Sequence, residues 1–560
     1  MNKLVVSFQM ILLLFVSSSF ASSNLWKATP VKEDVTQFDF KSVIGGPDKL
    51  NIQQLRYQGL AVTVDREQLK SLKINDIIKF PIANQVFGAK INKVKTHNNG
   101  SHTWFGSIEH SKELLPVVIT VSEKSFFVRV VTPIGTYVMT GGENQGHLVQ
   151  EVLLEQAIDR STSDFLIPEE SDLFKRQKKR QLKIEKEIQQ KLNLQSSFSN
   201  IRELSEPILS KIQKSPLVTQ QTANVQLENV NENRIIQIDV LVVFTPDADA
   251  LYNGDAQTRI NHIFAVTNQI YVDSNVYIQV NPVAIEQVNY SDSVYTNVAL
   301  ADISEQLDPA FYEINNRRYE VGADMVVLMR PFVNGDGLCG LAFGNSGDLS
   351  SRGQWMFSHT SIDCGDYVMA HELGHNMGLS HSRRQNETGY TFPYALGHGI
   401  DGEFVSIMAY EQAFNGASKV FKFSNPELDC NGLPCGVDRD DSENGADAAY
   451  ALNGVRTQLE GLYHTEPDLT LVDDAIDSVN DINLKNCLSE AVTSKINLKY
   501  SSQLNGIVSC YNGGITDLAG LEVFSGLENL YLSGNQISDI SALASLSRLN
   551  YLFLDNNHIS

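Results

Sequence analysis

Apolar and polar residues alternate in short runs over the first third of the chain. The runs at residues 117–121 and 126–131 are examples, and Gly, Asn and Pro separate such runs from one another. Alternation with a period of two is typical of half-buried strands between turns. We therefore predict a β-rich domain over residues 22–170 and interpret it as a pro-region.

The spacing of apolar residues changes from every second position to every fourth position after residue 170. Apolar residues recur every four positions across residues 184–192 among Lys, Glu and Gln, which predicts an exposed amphipathic helix. The basic run at residues 175–180 is open to two interpretations, a processing site or a solvated helix face. Residues 196–233 are rich in Ser, Gln and Asn, as linkers are. We assign residues 171–233 to a charged helix and linker.

Strand-like and helix-like patterns alternate from residue 234 onward. Apolar runs at residues 238–245, 276–283 and 324–329 predict strands, and residues 256–272 carry a helical pattern. This alternation predicts an α/β layer with its sheet behind the helix that carries the motif described below. We assign residues 234–462 to this domain.

The last part of the chain contains a repeat of 22 residues. Three apolar positions recur at this interval: Val508, Leu530 and Leu552; Cys510, Leu532 and Leu554; Ile515, Ile537 and Ile559. Asn535 and Asn557 stand where an Asn ladder satisfies backbone groups of a turn. The pattern predicts a leucine-rich repeat solenoid over residues 508–560, expected to be truncated, after a linker and cap at residues 463–507. Protein binding and a role in stability or secretion both remain open for it.

Composition and charge narrow the class of protein. A chain of 560 residues is too long for one core, and 42% hydrophobic with 20% charged residues is typical of folded soluble domains. The net charge of −22 argues against a nucleic-acid partner. Residues 1–21 combine Lys3, an apolar run and small residues, which predicts a signal peptide and a secreted, extracellular protein. The apolar run is too short to span a membrane, and no later segment is apolar enough.

Six cysteines in a chain expected to be exported indicate disulfide bonds. Proximity in sequence favours three pairs: Cys339 with Cys364, Cys430 with Cys435, and Cys487 with Cys510. Six cysteines permit 15 pairings, and a buried free thiol at Cys510 is an alternative because its repeat position faces the core.

Residues 371–381 read His-Glu-Leu-Gly-His-Asn-Met-Gly-Leu-Ser-His and carry the decisive motif. On a helix, His371 and His375 lie one turn apart and can bind one zinc ion. Gly378 can adopt a positive φ, end the helix and bring His381 to the same ion. Three His ligands leave a fourth position for water, as in catalytic zinc sites. We predict that Glu372 is the general base toward that water.

A second signal, Ser-Ile-Met-Ala-Tyr at residues 406–410, lies downstream. With it the sequence resembles the metzincin zinc endopeptidases, whose extended histidine motif is followed by a Met-containing turn beneath the metal. Met408, 27 residues past His381, matches that turn. In metzincins such as the astacins a Tyr two residues beyond the Met approaches the metal. The resemblance therefore implies Tyr410 as a candidate catalytic residue, with a packing or substrate contact as the alternative.

Local strings at residues 337–342 and 423–426 resemble the reprolysin-like and peptidyl-Asp metalloendopeptidase group, and the likeness spans residues 235–460. Adamalysin-type enzymes carry Asp after the third His, whereas this chain has Ser382, so the subfamily and its substrate preference stay open. Matrix metalloproteinases block their zinc with a pro-segment Cys. Residues 22–233 contain no Cys, so self-inhibition would need another ligand or steric cover. We interpret His359 and His398 as structural or cleft-lining residues because neither has ligand spacing.

These patterns predict a multidomain protein with a β-rich pro-region, an α/β metzincin-type zinc peptidase domain and a leucine-rich repeat solenoid. The predicted function is a secreted zymogen of a zinc-dependent endopeptidase, with one catalytic Zn²⁺ and protein or peptide substrates. The repeats are a candidate site for a protein partner, and the sequence makes no prediction about calcium. The alternative is an extracellular adhesion or binding protein with a catalytically silent peptidase domain, which the intact Glu372 disfavours.

Overall fold

A computed structural model of the chain describes residues 26–28, 60–82, 85–111, 115–143, 145–151, 164–168, 234–333, 336–462, 468–493, 495 and 498–559. The predicted signal peptide, amphipathic helix, basic run and linker lie outside the described residues. The described residues form two compact units, one within residues 26–150 and one within residues 151–559.

The first unit contains a nine-stranded antiparallel sheet in the order β1-β2-β9-β8-β7-β6-β5-β4-β3. Its strands are β1 Trp26–Ala28, β2 Leu60–Val64, β3 Ile77–Ile82, β4 Gln85–Thr96, β5 His102–Ile108, β6 Pro116–Val121, β7 Ser125–Thr132, β8 Gly135–Gly142 and β9 Gln145–Gln150, with helix α1 at Arg66–Lys70. Alternate side chains of these strands form one core that includes Phe80, Trp104 and Phe126. The predicted β-rich character of this region is confirmed.

The second unit is built on a six-stranded mixed sheet in the order β10-β14-β15-β13-β11-β12. Its strands are β10 Phe165–Leu166, β11 Ile236–Phe244, β12 Ile278–Gln287, β13 Met325–Arg330, β14 Gly340–Phe343 and β15 Phe357–Ser361. All neighbours pair in parallel except β14 and β15, which are antiparallel. The predicted pro-region runs to residue 170, whereas strand β10 is part of this second sheet.

Six helices pack around or beside this sheet: α2 Pro246–Ala250, α3 Ala256–Asp273, α4 Thr296–Glu305, α5 Ile314–Glu320, α6 Val368–Asn376 and α7 Ala448–Leu459. Helix α6 contacts strands β14 and β15, so the sheet lies behind the motif helix as the sequence predicts. Three two-stranded sheets follow the motif helix: β16 Ser380–Ser382 with β17 Leu396–Gly397, β18 Gly399–Ile400 with β19 Phe404–Val405, and β20 Asp429–Cys430 with β21 Leu433–Pro434.

The repeat region begins with helices α8 Val472–Ser478 and α9 Ile482–Thr493 and continues as a parallel sheet of β22 Ile507–Ser509, β23 Asn529–Tyr531 and β24 Tyr551–Phe553. The strands pair at the predicted interval, with Val508 opposite Leu530 and Leu530 opposite Leu552. Asn535 Nδ2 donates to the carbonyls of Cys510 and Leu532, at 2.8 and 2.7 Å. The predicted Asn ladder is therefore present.

All three predicted disulfide pairs form: Cys339–Cys364, Cys430–Cys435 and Cys487–Cys510. Cys510 is bonded, so the alternative of a free thiol there is wrong. Its core position is compatible with the bond because Cys487 reaches it from helix α9, with 5.6 Å between the Cα atoms.

None of the helices in the described part of the chain has the length and apolar character needed to cross a bilayer.

Candidate metal centre

Helix α6 presents the first two predicted ligands, and the turn after it presents the third. Gly378 has a φ of 89°. The Leu379 amide donates to the Gly374 carbonyl at 2.9 Å, and the Gly378 amide donates to the His375 carbonyl at 3.0 Å, which closes the helix with a Schellman turn. The chain then reverses into strand β16, which carries His381. The sequence prediction for Gly378 is thus confirmed.

The three predicted ligands come together around one carboxylate. His371, His375, His381 and Asp164 are all buried, and each offers one ligand atom within 4.8 Å of the others. Asp164 Oδ2 lies 3.2 Å from His371 Nε2, and its Oδ1 lies 3.4 Å from His375 Nε2 and 2.7 Å from His381 Nε2. Asp164 immediately precedes strand β10, and sequence reasoning missed it because a single Asp in a β-rich segment carries no pattern.

Backbone carbonyls fix the orientation of two of the imidazoles. His371 Nδ1 lies 2.8 Å from the Ile407 carbonyl, and His375 Nδ1 lies 3.0 Å from the Leu379 carbonyl. A carbonyl only accepts, so Nδ1 carries the proton in each ring and Nε2 presents a lone pair. The two Nε2 atoms are only 3.1 Å apart. Two lone pairs repel at that distance, and a cation between them removes the repulsion.

The donor set fits zinc. Ligand atoms about 2.0–2.1 Å from a tetrahedral zinc lie roughly 3.3 Å from one another, and the contacts around Asp164 measure 2.7–3.4 Å. Asp164 Oδ1 and His381 Nε2 are both buried and lie only 2.7 Å apart. A buried carboxylate surrounded by three buried imidazoles is costly unless these groups share an ion. The donor set and its spacing therefore suit a zinc ion.

Burial keeps the groups in the protonation states that bind metal. Desolvation lowers the pKa of His371 to about 4 and also lowers the pKa of His381. Neutral imidazoles are the forms that coordinate zinc.

Glu372 lies in the same cleft, against strand β14. Its side chain is buried, and a Cβ atom added at Gly340 would overlap its carboxylate. Glycine at the start of β14 therefore provides the space for Glu372 next to His371. The cleft is lined by Asp164, residues 337–340, Tyr367, Val368, His371, Glu372 and Tyr410.

The predicted Met turn lies directly beneath helix α6. A Cβ atom added at Gly374 would come within 2.8 Å of Met408 Sδ, so the sulfur packs against the helix between the first two ligands. The Tyr410 ring lies 4.4 Å from the His381 ring and 6.0 Å from the His371 ring, centroid to centroid. Tyr410 is thus placed beside the centre, and its catalytic role remains a prediction.

A buried lysine supports the turn from below, and sequence reasoning missed it too. The Lys419 side chain is 1% exposed, and its Nζ lies 3.2 Å from Glu411 Oε1. It donates to the Ala409 carbonyl at 2.6 Å and, at longer range, to the carbonyls of Ser406 and Ile407, at 3.5 and 3.4 Å. One ammonium group therefore holds three carbonyls of the Met turn.

The two other histidines considered in the sequence lie outside the cluster. His359 is buried in strand β15, and its Nε2 accepts a hydrogen bond from Arg330 Nε at 2.9 Å. Burial and the Arg330 charge hold the His359 pKa well below its usual range. The His398 ring packs on Phe404, 6.0 Å between centroids. Both histidines have packing partners that fit the structural interpretation.

Comparisons with known proteins agree with this geometry. Residues 237–439 match the reprolysin-like model of metallopeptidase family M12B, residues 21–155 match a BamI lipocalin-like domain, and residues 525–560 match leucine-rich repeats. The chain is 33% identical over 247 residues to a peptidyl-Asp metalloendopeptidase of Pseudomonas aeruginosa, covering 40% of this chain and 39% of that protein. It is 34% identical over 208 residues to a peptidyl-Asp metalloendopeptidase of Stenotrophomonas maltophilia, covering 36% of this chain and 48% of that protein.

The chain spans less than half of the length of both relatives. Among solved structures, metalloproteinase-II from Bacteroides fragilis aligns with a TM-score of 0.33 and 10% identity over 58% of this chain and 88% of that one. The family match and the assembled histidines coincide in one domain. Residues 237–439 therefore form a domain that matches the reprolysin-like metallopeptidases, a metzincin-type family, and residues matching leucine-rich repeats follow them in the chain.

Proposed function

We propose that this protein is a secreted zinc-dependent endopeptidase that hydrolyses peptide bonds in proteins. The convergence of three imidazole Nε2 atoms from the motif helix and its turn supports the proposal, because these atoms lie in a domain that matches the reprolysin-like metallopeptidases. Three disulfide bonds fit an oxidising, extracellular location.

The residues of the cleft have separate roles in the proposed reaction. Zinc held by His371, His375 and His381 supplies Lewis acidity toward the peptide carbonyl and water. Glu372 accepts a proton from the attacking water at its carboxylate and delivers it to the leaving amine. Tyr410, whose ring lies 4.4 Å from the His381 ring, is the candidate hydrogen-bond donor to the developing oxyanion.

The surrounding elements hold these groups in place before substrate arrives. The carbonyls of Ile407 and Leu379 fix the tautomers of His371 and His375. Met408 of the Met turn packs against the motif helix at Gly374, and Gly340 leaves space for Glu372. Such preorganisation is the main contribution that a protein makes to a metal-dependent hydrolysis.

The substrate is expected to be a protein or peptide. Both relatives are named peptidyl-Asp metalloendopeptidases, so peptide bonds beside aspartate are the first to assay. We further propose that the leucine-rich repeats, as a solenoid, provide a protein-binding surface next to the peptidase domain.

The test is a cleavage assay on a fluorogenic peptide library that includes Asp-containing peptides. The full chain is assayed before and after limited proteolysis with an immobilised protease that is removed beforehand. We expect cleavage that 1,10-phenanthroline abolishes and added zinc restores. Glu372→Gln should lower kcat by about 10²–10⁴-fold while zinc content stays at one ion per chain.

The matched control is Glu403→Gln, which removes an exposed carboxylate from the same domain and should leave cleavage unchanged. Equal cleavage by the wild type, the Glu372 variant and the chelated protein would reject zinc-dependent hydrolysis. Bound zinc without cleavage in any sample would favour the alternative of a binding protein with a silent peptidase domain.

A further inference from the structure

The segment that carries Asp164 lies along the edge of the peptidase sheet. Strand β10 pairs in parallel with strand β14, with Phe165 opposite Ala342 and Leu166 opposite Phe343. The Ala342 amide donates to the Asp164 carbonyl at 3.2 Å, and the Gly344 amide donates to the Leu166 carbonyl at 2.8 Å. A strand added to an exposed sheet edge is a common way for a protein to hold an extended peptide.

The side chains of this segment cover the metal centre. The Phe165 ring lies 4.8 Å from the His375 ring and 5.2 Å from the His381 ring. It also contacts Tyr390 edge to face, at 5.5 Å between centroids. Gly344 admits the ring, because a Cβ atom added there would come within 3.1 Å of it. Phe165 therefore closes the cleft from the side of the second and third ligands.

Ordinary core packing does not explain the position of Asp164. Its carboxylate is buried and faces three Nε2 atoms, at least two of which present lone pairs rather than protons. In the absence of an ion, a buried anion in that place would cost several kcal/mol. With an ion, the carboxylate occupies the one coordination position that three histidines leave open.

We propose that Asp164 is the fourth ligand of the metal and that residues 164–168 are an internal inhibitor seated in the substrate cleft. The proposal rests on the proposed function, since it assigns the same cleft to substrate. It also supplies the latency ligand that the sequence leaves open, because residues 22–233 contain no cysteine. An aspartate takes the role that a pro-segment cysteine has in matrix metalloproteinases.

Covalent attachment makes such a short segment effective. One carboxylate bond and a few backbone hydrogen bonds bind weakly when the peptide is free. A tethered segment competes at an effective concentration on the order of millimolar. A cut in the connection to the peptidase domain removes that advantage, so the free peptide Asp-Phe-Leu-Ile-Pro should inhibit only weakly.

The test measures access to the metal rather than hydrolysis. The full chain is loaded with Co²⁺, and its visible absorption spectrum is titrated with acetohydroxamate, a small bidentate metal ligand. We expect Asp164→Ala to bind acetohydroxamate at least about tenfold more tightly than the wild type; a cleft that is closed about 99% of the time predicts about 100-fold. The spectrum of the variant before titration should also differ, because water replaces the carboxylate.

Two further variants keep the test decisive. Asp164→Asn preserves the side-chain volume but removes the charge. It can therefore be tested in place of Asp164→Ala if the alanine variant does not fold. Asp474→Ala removes an exposed carboxylate from helix α8 and should behave as the wild type does. Equal acetohydroxamate affinity and equal spectra for the wild type and both Asp164 variants would overturn the proposal. Tighter binding by these variants without any peptide cleavage would leave this inference standing and count against the proposed function.

Discussion

The buried ion pair beneath the Met turn gives the sharpest stability prediction. Lys419 and Glu411 have side chains that are 1% and 13% exposed and lie 3.2 Å apart. Lys419→Met keeps the length and the apolar stem of the side chain but removes the ammonium group. The variant leaves Glu411 without this cation and the Ala409 carbonyl without its 2.6 Å donor.

The size of the effect follows from burial. Removing one partner of a buried ion pair costs about 3–5 kcal/mol, because the other charge stays buried. For a domain of roughly 150–250 residues, 1 kcal/mol shifts Tm by about 2–4 °C, so the peptidase transition should fall by about 6–20 °C. The double variant Lys419→Met with Glu411→Met buries no unpaired charge. Its loss of unfolding free energy should therefore be smaller than the sum of the losses in the two single variants.

Differential scanning calorimetry of the zinc-loaded full chain measures these shifts. The peptidase transition is the one that moves when zinc is removed, since a bound ligand stabilises only the domain that holds it. Lys422→Met is the matched control, because its ammonium group makes an exposed contact with the Asp429 carbonyl and its loss should stay within about 0.5 kcal/mol. The reasoning would be refuted if Lys419→Met were no less stable than this control, or if the stability lost by the double variant equalled the sum of the losses in the two single variants.

Three further predictions concern the site and its surroundings. Gly378→Ala forces a φ of 89° on a residue with a side chain and overlaps Thr391, so zinc affinity should fall by at least about tenfold in a competition titration; unchanged affinity would contradict the role of this turn. Gly340→Ala displaces Glu372 and should lower kcat with zinc content intact; an unchanged kcat would count against Glu372 as the base. Burial raises the pKa of Asp292 to about 6. The folded state then holds a proton that the unfolded state has lost between about pH 4 and 6, so stability falls as pH rises through this window, and Asp292→Asn should raise Tm at pH 7 but not at pH 4.

The parts of the site that sequence could predict are those that local geometry fixes. The helical period sets the spacing of His371 and His375, and a glycine with positive φ sets the turn to His381. The repeat interval likewise fixed the register of strands β22–β24, because each repeat must stack on its neighbour. The disulfide pairs also followed sequence proximity, because each bond joins two cysteines that are close in sequence.

The features that the sequence could not predict depend on contacts between distant parts of the chain, or on the burial of a residue type that is usually exposed. Asp164 reaches the metal centre through an edge pairing with β14, more than 150 residues along the chain, and no periodicity marks it. Lys419 is of a residue type that is almost always exposed, and only the three carbonyls around it reveal its position. Strands β14 and β15 were not predicted either, since their short runs have no clear alternation.

Anomalous diffraction at the zinc edge, from crystals of the full chain, tests the central claim most directly. The account predicts one strong peak enclosed by His371, His375 and His381, about 2.0–2.1 Å from each Nε2 atom. A folded chain without a peak at this position, or with the three rings turned away from a common point, would contradict it.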